Sequence, residues 1–162
     1  MNEAKRAAML NPVYYVLGFG FYDDHVVMIR KDHPADQVGK LNGVGGKIGE
    51  GENAWQAMSR EFLEETGVSL PPTAWTNVGR LIGVDGQGVG FHVEVFCVND
   101  WLCEAAKTME SEQVEHRDWQ TLLAMLHGDG RDVKAMDNIG ALIALCRLNM
   151  SGHGPTFVIT YE

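Results

Sequence analysis

The chain has 162 residues, enough for one domain whose core hides about two-thirds of the unfolded surface from water. Its 45% hydrophobic and 22% charged residues describe a globular protein rather than a disordered one, and no apolar run approaches the ~20 residues that cross a bilayer. A formal net charge of -9 excludes a duplex nucleic-acid binder, which needs a basic face, but not an enzyme for small phosphorylated molecules in which metal ions supply the positive charge.

In chain order, residues 1–11 read as a flexible N-terminal tail and residues 12–162 as a single domain. Lys5 and Arg6 precede only Ala7–Leu10, too short an apolar run for a signal peptide, which points to the cytosol. Val13–Phe21 and His25–Arg30 are β-branched and aromatic runs joined by Tyr22-Asp23-Asp24, a hairpin pattern. Gly39–Gly51 is glycine-rich and reads as a loop or short strand. Ala54–Thr66 is expected to be a helix. Val78–Val84 and Gly90–Val98 read as strands linked by Asp85-Gly86-Gln87-Gly88. Val114–Asp118 and Thr156–Tyr161 complete the strands, while Trp119–His127 and Asp137–Met150 complete the helices. Strands interleaved with helices predict a mixed α/β sandwich. Cys97, Cys103 and Cys146 are odd in number and form no CxxC pair, so neither a disulfide scaffold nor a zinc knuckle is expected. Cys97 and Cys146 lie in apolar runs and read as small core residues.

The chemistry concentrates between Gly46 and Val68. Asn53 is a good N-cap residue, Gln56 three positions later suits a capping box, and Gly67 suits a helix C-terminus. Trp55, Met58 and Phe62 are expected to form one apolar stripe facing the core. Beside it Glu61, Glu64 and Glu65, at i, i+3 and i+4, project from one face. They are unfavourable for a bare helix. Like charges at i, i+4 cost about 0.2–0.5 kcal/mol, and acids in the last turn oppose the helix dipole by roughly 0.3–1 kcal/mol. A divalent cation would remove both penalties, and hard carboxylate oxygens suit Mg2+ or Mn2+. Arg60 stands four residues before Glu64 and can pair with it. The plain alternative is a solvated acidic helix face.

The full pattern is more specific. Gly46, five residues, Glu52, seven residues, then Arg60-Glu61-Phe62-Leu63-Glu64-Glu65-Thr66-Gly67-Val68 resembles the Nudix box at every defined position. Leu41-Asn42-Gly43-Val44-Gly45-Gly46-Lys47-Ile48 resembles the family's approach to the box, and Val93–Cys97 its later core strand. The resemblance implies an α/β/α sandwich with a mixed β-sheet. It implies a hydrolase of nucleotide phosphoanhydrides in which Glu61, Glu64 and Glu65 bind Mg2+. Arg60 would orient a glutamate, Gly46 would lend its backbone near the metal, and Glu52 would support them.

An acid beyond the box is expected to assist, as is common in the family; Glu94, Glu110, Glu112 and Glu115 are the candidates, with Glu112 preferred. The Leu41-Asn42-Gly43 run resembles the MutT-like branch that cleaves nucleoside triphosphates, in which an Asn at this position contacts the base. Asn42 and Lys47 are accordingly assigned to substrate, with Asp137 and Asn138 beside them as readers of a purine edge; helix capping is the alternative for that last pair. ADP-ribose or another nucleoside diphosphate derivative is the alternative substrate. A nucleotide-binding module without activity is a further alternative, but such modules lose box glutamates, and this chain keeps them all. Gly43–Lys47 does not make a P-loop, because Leu41 replaces its first glycine and Ile48 its Ser/Thr. His92, His116, His127 and His153 show no metal-ligand spacing.

Overall fold

A computed structural model describes residues 3–127, 133–154 and 156–161. The strands are β1 (Val13–Tyr22), β2 (His25–Arg30), β3 (Leu41–Asn42), β4 (Val44–Lys47), β5 (Thr76–Val84), β6 (Gly90–Asn99), β7 (Gln113–Asp118) and β8 (Phe157–Thr160). The helices are α1 (Glu3–Met9), α2 (Ala54–Thr66), α3 (Trp119–His127) and α4 (Ile139–Met150). The strands form one mixed sheet in the order β3-β2-β1-β6-β5-β8, with β4 pairing β1 and β7 pairing β2. Parallel β6 follows one edge of β1 from Val13 to Phe21. The other edge is shared, β4 taking Tyr15–Gly18 and β2 taking Gly20–Tyr22. The glycine-rich run is therefore built into the sheet beside its central strand.

Both faces of this sheet are covered, which makes an α/β/α sandwich. On β1, Val16 belongs to one core and Leu17, Phe19 and Phe21 to the other. The alternation repeats on β2 (Val27 and Ile29 against Val26 and Met28) and on β6 (Phe96 and Val98 against Val95 and Cys97). Where strands are buried on both sides they carry apolar residues in unbroken runs, as in Val26–Ile29 of β2 and Val95–Val98 of β6. The face of Val16 and Phe96 packs against Ala57, Met58 and Phe62 of α2; the opposite face packs against Leu122 of α3 and Ile139, Leu142, Ile143 and Cys146 of α4. Among the described residues no helix is long and apolar enough to cross a membrane.

Three local expectations need correction. Residues 3–9 form α1 rather than an unstructured tail, and it rests against β5 and β6. Its Glu, Lys, Arg, Ala and Met residues are good helix formers, but none is buried, so no apolar stripe announced it. Trp55 is 42% exposed, whereas Met58 and Phe62 are fully buried. It lies in the first turn of α2, where the helix meets the 3-10 turn Pro72–Ala74. Its indole N–H donates to the Trp75 carbonyl at 3.2 Å and its ring meets Phe96 edge to face. Finally, α4 begins at Ile139 rather than Asp137, and Asn138 makes no side-chain cap.

Phe62 joins helix to sheet, fully buried against Trp75 with ring centroids 5.1 Å apart. Phe62→Ala is expected to cost about 3–5 kcal/mol through lost burial and the cavity left behind. Urea unfolding followed by circular dichroism measures this; a loss below ~1 kcal/mol would show that Phe62 does not anchor α2.

Candidate functional site

The site begins with how α2 is closed at its ends. The Asn53 side chain accepts from the Gln56 backbone N–H and the Gln56 side chain accepts from the Asn53 N–H, both at 2.9 Å, completing the capping box. At the far end Gly67 adopts φ 74°, a left-handed conformation that favours glycine, and donates to the Leu63 carbonyl. With the apolar side of α2 on the sheet, the glutamates project toward β4.

Arg60 organises them. Its Nε and Nη2 donate to the two carboxylate oxygens of Glu52 at 2.6 and 2.9 Å. Nη1 donates to Glu61 at 2.7 Å and Glu64 at 2.9 Å, and Nη2 also reaches the Lys47 carbonyl at 3.0 Å. All five guanidinium N–H groups are thereby used. Glu52 completes the frame by accepting the Gly49 N–H at 2.8 Å. The Arg60 hydrogen bonds hold the Glu52 carboxyl below its ordinary pKa. Gly46 on β4 faces Glu61 so closely that a Cβ there would lie 2.5 Å from the carboxylate. Only glycine allows this approach.

Glu65 differs from its neighbours. Its residue is 8% exposed, and its Oε2 is buried without a hydrogen-bond partner. Among the described residues three other buried side-chain polar atoms lack partners, on Ser59, Trp75 and Trp119, but none of these can carry a carboxylate charge. Burial first, and then the charges of Glu112 and Glu61, push the Glu65 pKa up to about 8, while Lys31 opposes the shift. Burial also raises Glu61, although the Arg60 hydrogen bond works against it. A buried anion with an unused oxygen among other acids fits a hard divalent cation, which would satisfy that oxygen and offset the repulsion.

Of the acids outside the box, Glu112 and Glu110 are the ones whose charges reach Glu65. Glu112 is 6% exposed, pairs with the Lys31 ammonium at 2.7 Å and accepts the Asp32 N–H at 3.4 Å. Glu115 is engaged elsewhere, by Arg30 and Arg117, and Glu94 by Arg80 and Asn77. Lys31, Asp32 and His33 were not anticipated by sequence reasoning. Ligand atoms of Asp32, His33 and Glu112 lie within 4.8 Å of one another. No motif marks the loop after β2, and only folding brings it to Glu112.

The residues assigned to substrate lie on β3, on β4 and on the approach to α4. Asn42 accepts the Gly43 N–H through its own side chain. Leu41, beside it, donates to the Lys134 carbonyl and accepts from the Met136 N–H, so the segment leading to Asp137 runs along β3. Asp137 lines a cavity with Leu126, Met136 and Gly140, and the Asn138 amide donates to the Tyr161 hydroxyl at 2.7 Å. Asn138 stands at the N-cap position of α4 without a side-chain cap hydrogen bond. The Lys47 side chain is exposed at the end of β4.

Residues 13–137 match the family model of the NUDIX domain. The fold is similar to that of the mutator MutT protein from Bacillus halodurans, at a TM-score of 0.60 and 16% identity over 82% of this chain and 80% of that one. It is also similar to the MutT NUDIX hydrolase from Burkholderia pseudomallei, at a TM-score of 0.60 and 18% identity over 68% of this chain and 85% of that one. No curated protein matches the chain.

The buried Glu65 makes metal-free stability depend on pH with a definite sign. Its folded pKa, about 8, lies above the ordinary 4.5, so the folded state binds the extra proton between those values. That stability is fully present below 4.5 and lost as the pH rises through 8. Thermal melts in chelator should therefore show wild type weakening over this window, while Glu65→Gln lacks that part of the slope. Parallel curves for the two proteins would show that Glu65 ionises normally.

Proposed function

Since the chain belongs to the Nudix family of hydrolases, which act on small nucleotides, we propose that it hydrolyses nucleoside triphosphates, with Mg2+ or Mn2+, to nucleoside monophosphate and pyrophosphate. The observation that carries this reading is the orphaned, buried oxygen of Glu65 set between Glu61 and Glu112.

Glu61, Glu64, Glu65 and Glu112 would hold the ion, with the Gly46 backbone beside them. The ion would neutralise phosphate charge and make a water molecule acidic enough to attack at neutral pH. Attack at the α- or β-phosphorus forms one P–O bond while the bridging P–O bond breaks. Attack at the α-phosphorus expels pyrophosphate and attack at the β-phosphorus expels the nucleoside monophosphate, the α–β bridge breaking in both cases, and the proton of the water passes to a neighbouring carboxylate. Arg60 is a positioning residue, since its donors are spent on Glu52, Glu61, Glu64 and Lys47. The exposed Lys47 ammonium is available to substrate phosphates. Asn42, Asp137 and Asn138 are assigned to the base end, a reading supported by the hydrogen bonds that run the segment before Asp137 along β3.

Glu65→Gln preserves volume and helix propensity while removing one ligand charge. Turnover of a nucleotide panel with Mg2+ should fall by several orders of magnitude, because each ~1.4 kcal/mol of lost transition-state stabilisation is tenfold. More than a tenth of wild-type turnover remaining would remove Glu65 from the site. In wild type, chelator should abolish turnover and Mg2+ or Mn2+ restore it, with nucleoside monophosphate and pyrophosphate as products. Orthophosphate as the sole inorganic product, or cleavage of ADP-ribose with triphosphates untouched, would overturn the substrate assignment.

A further inference from the structure

The register of the sheet carries Lys31 to Glu112. Strands β2 and β7 are antiparallel, and Arg30 stands opposite Gln113 at their end. The next positions across from each other, one step past that pair, are Lys31 and Glu112. The Lys31 backbone is pinned, its N–H donating to the Lys40 carbonyl at 2.9 Å and its carbonyl accepting the Gly39 N–H at 2.8 Å. Its ammonium meets Glu112 Oε1 at 2.7 Å, with 14% of the Lys31 side chain and 7% of the Glu112 side chain exposed. The Asp32 N–H donates to the same oxygen at 3.4 Å, and His33 Nδ1 lies 3.5 Å from it. The segment before Glu112 is laid against the end of α2. There the Met109 N–H donates to the Glu65 carbonyl at 3.2 Å and the Lys107 N–H to the Thr66 carbonyl at 3.0 Å.

We propose that Lys31 is a built-in counter-ion of the carboxylate cluster, its ammonium held on Glu112 in the metal-free protein and competing there with the divalent cation. This rests on the reading of Glu61, Glu64, Glu65 and Glu112 as metal ligands, and adds to it a residue that sets how tightly they bind.

Two physical arguments carry the assignment. A carboxylate as buried as Glu112 has lost its hydration, and leaving it charged without a partner is strongly destabilising. Lys31 supplies that partner and lets Glu112 face the cluster before any metal is present. The same ammonium then works against metal, because it occupies a ligand oxygen and repels a second cation at short range. Its charge also reaches Glu65, where it opposes the repulsion from Glu112 and Glu61.

The two basic residues of the site differ in kind. Arg60 is committed by hydrogen bonds to Glu52, Glu61, Glu64 and the Lys47 carbonyl. Lys31 places a compact ammonium on a flexible stem, a group able to leave a carboxylate and return to it. An ion pair with a purely structural role would lose stability on removal of Lys31 and gain no affinity for metal.

Lys31→Met keeps the apolar stem and removes the charge. Thermal melts in chelator should show its Tm lowered by roughly 10 °C, since Glu112 is left buried without its partner. Calorimetric titration with Mn2+ in the absence of nucleotide should show binding at least about tenfold tighter than in wild type. Saturating Mn2+ should bring the two melting temperatures together. Lys31→Arg keeps the charge and should bind Mn2+ much as wild type does. With Glu112→Gln already in place, Lys31→Met should lose most of its effect on binding, because the shared carboxylate is gone. Equal or weaker Mn2+ binding by Lys31→Met would overturn the proposal while leaving the metal reading intact. Absence of Mn2+ binding by wild type would overturn that reading and this inference with it. Folding of Lys31→Met only with Mn2+ present would support the proposal, since the cation then takes the place of the ammonium. Failure to fold even at saturating Mn2+ would overturn it.

Discussion

The Arg60 guanidinium bonds at once to Glu52, Glu61, Glu64 and the Lys47 carbonyl, and these bonds offset the repulsion among neighbouring acids. Without them, Glu61 and Glu64 would repel each other and Glu65 at the unfavourable end of the helix dipole. The clamp also ties α2 to β4, because Glu52 grips the loop at Gly49 and Lys47 belongs to the strand. Helix and glycine strand are thus held at a fixed separation, small enough that Gly46 touches the Glu61 carboxylate.

Neutralisation by Arg60 is selective. Glu52 is held in its charged form, whereas Glu65 lies beyond the reach of any arginine among the described contacts and keeps an unsatisfied oxygen. A structural ion-pair network would satisfy every member. This one leaves its most buried carboxylate open and places Glu112 beside it, with Lys31 as the partial counter-charge. The stability lost by burying that charge is what a divalent cation bound there would restore.

The sheet explains how such strain is tolerated. β1 is flanked by β6 from Val13 to Phe21 on one side and by β4 and β2 over most of the other, and apolar residues alternate into two cores. Phe62 and Met58 seat α2 in one core while α4 closes the other. Buried Ala57, Met58 and Phe62 hold α2 against the sheet, so moving the helix to relieve repulsion among its glutamates would expose apolar surface.

Much of this was legible in the chain itself. The box helix, its caps and the three-glutamate face follow from local spacing, since capping and i, i+3, i+4 geometry involve only residues within a turn or two. The strands were readable from β-branched and aromatic runs. What local spacing could not decide were contacts between distant segments. Trp55 has the helical phase of a core residue, yet it stays 42% exposed while its ring meets Phe96 of β6 and its indole N–H donates to the Trp75 carbonyl. Among four similar loop and strand acids, Glu112 is brought to Glu65 while Glu94 and Glu115 are taken up by arginines. The meeting of Lys31, Asp32 and His33 with Glu112 joins residues far apart in the chain. Residue type and spacing determine which side chains are able to hold charge or metal; the register of strands and the packing of helices on both faces decide which of them meet.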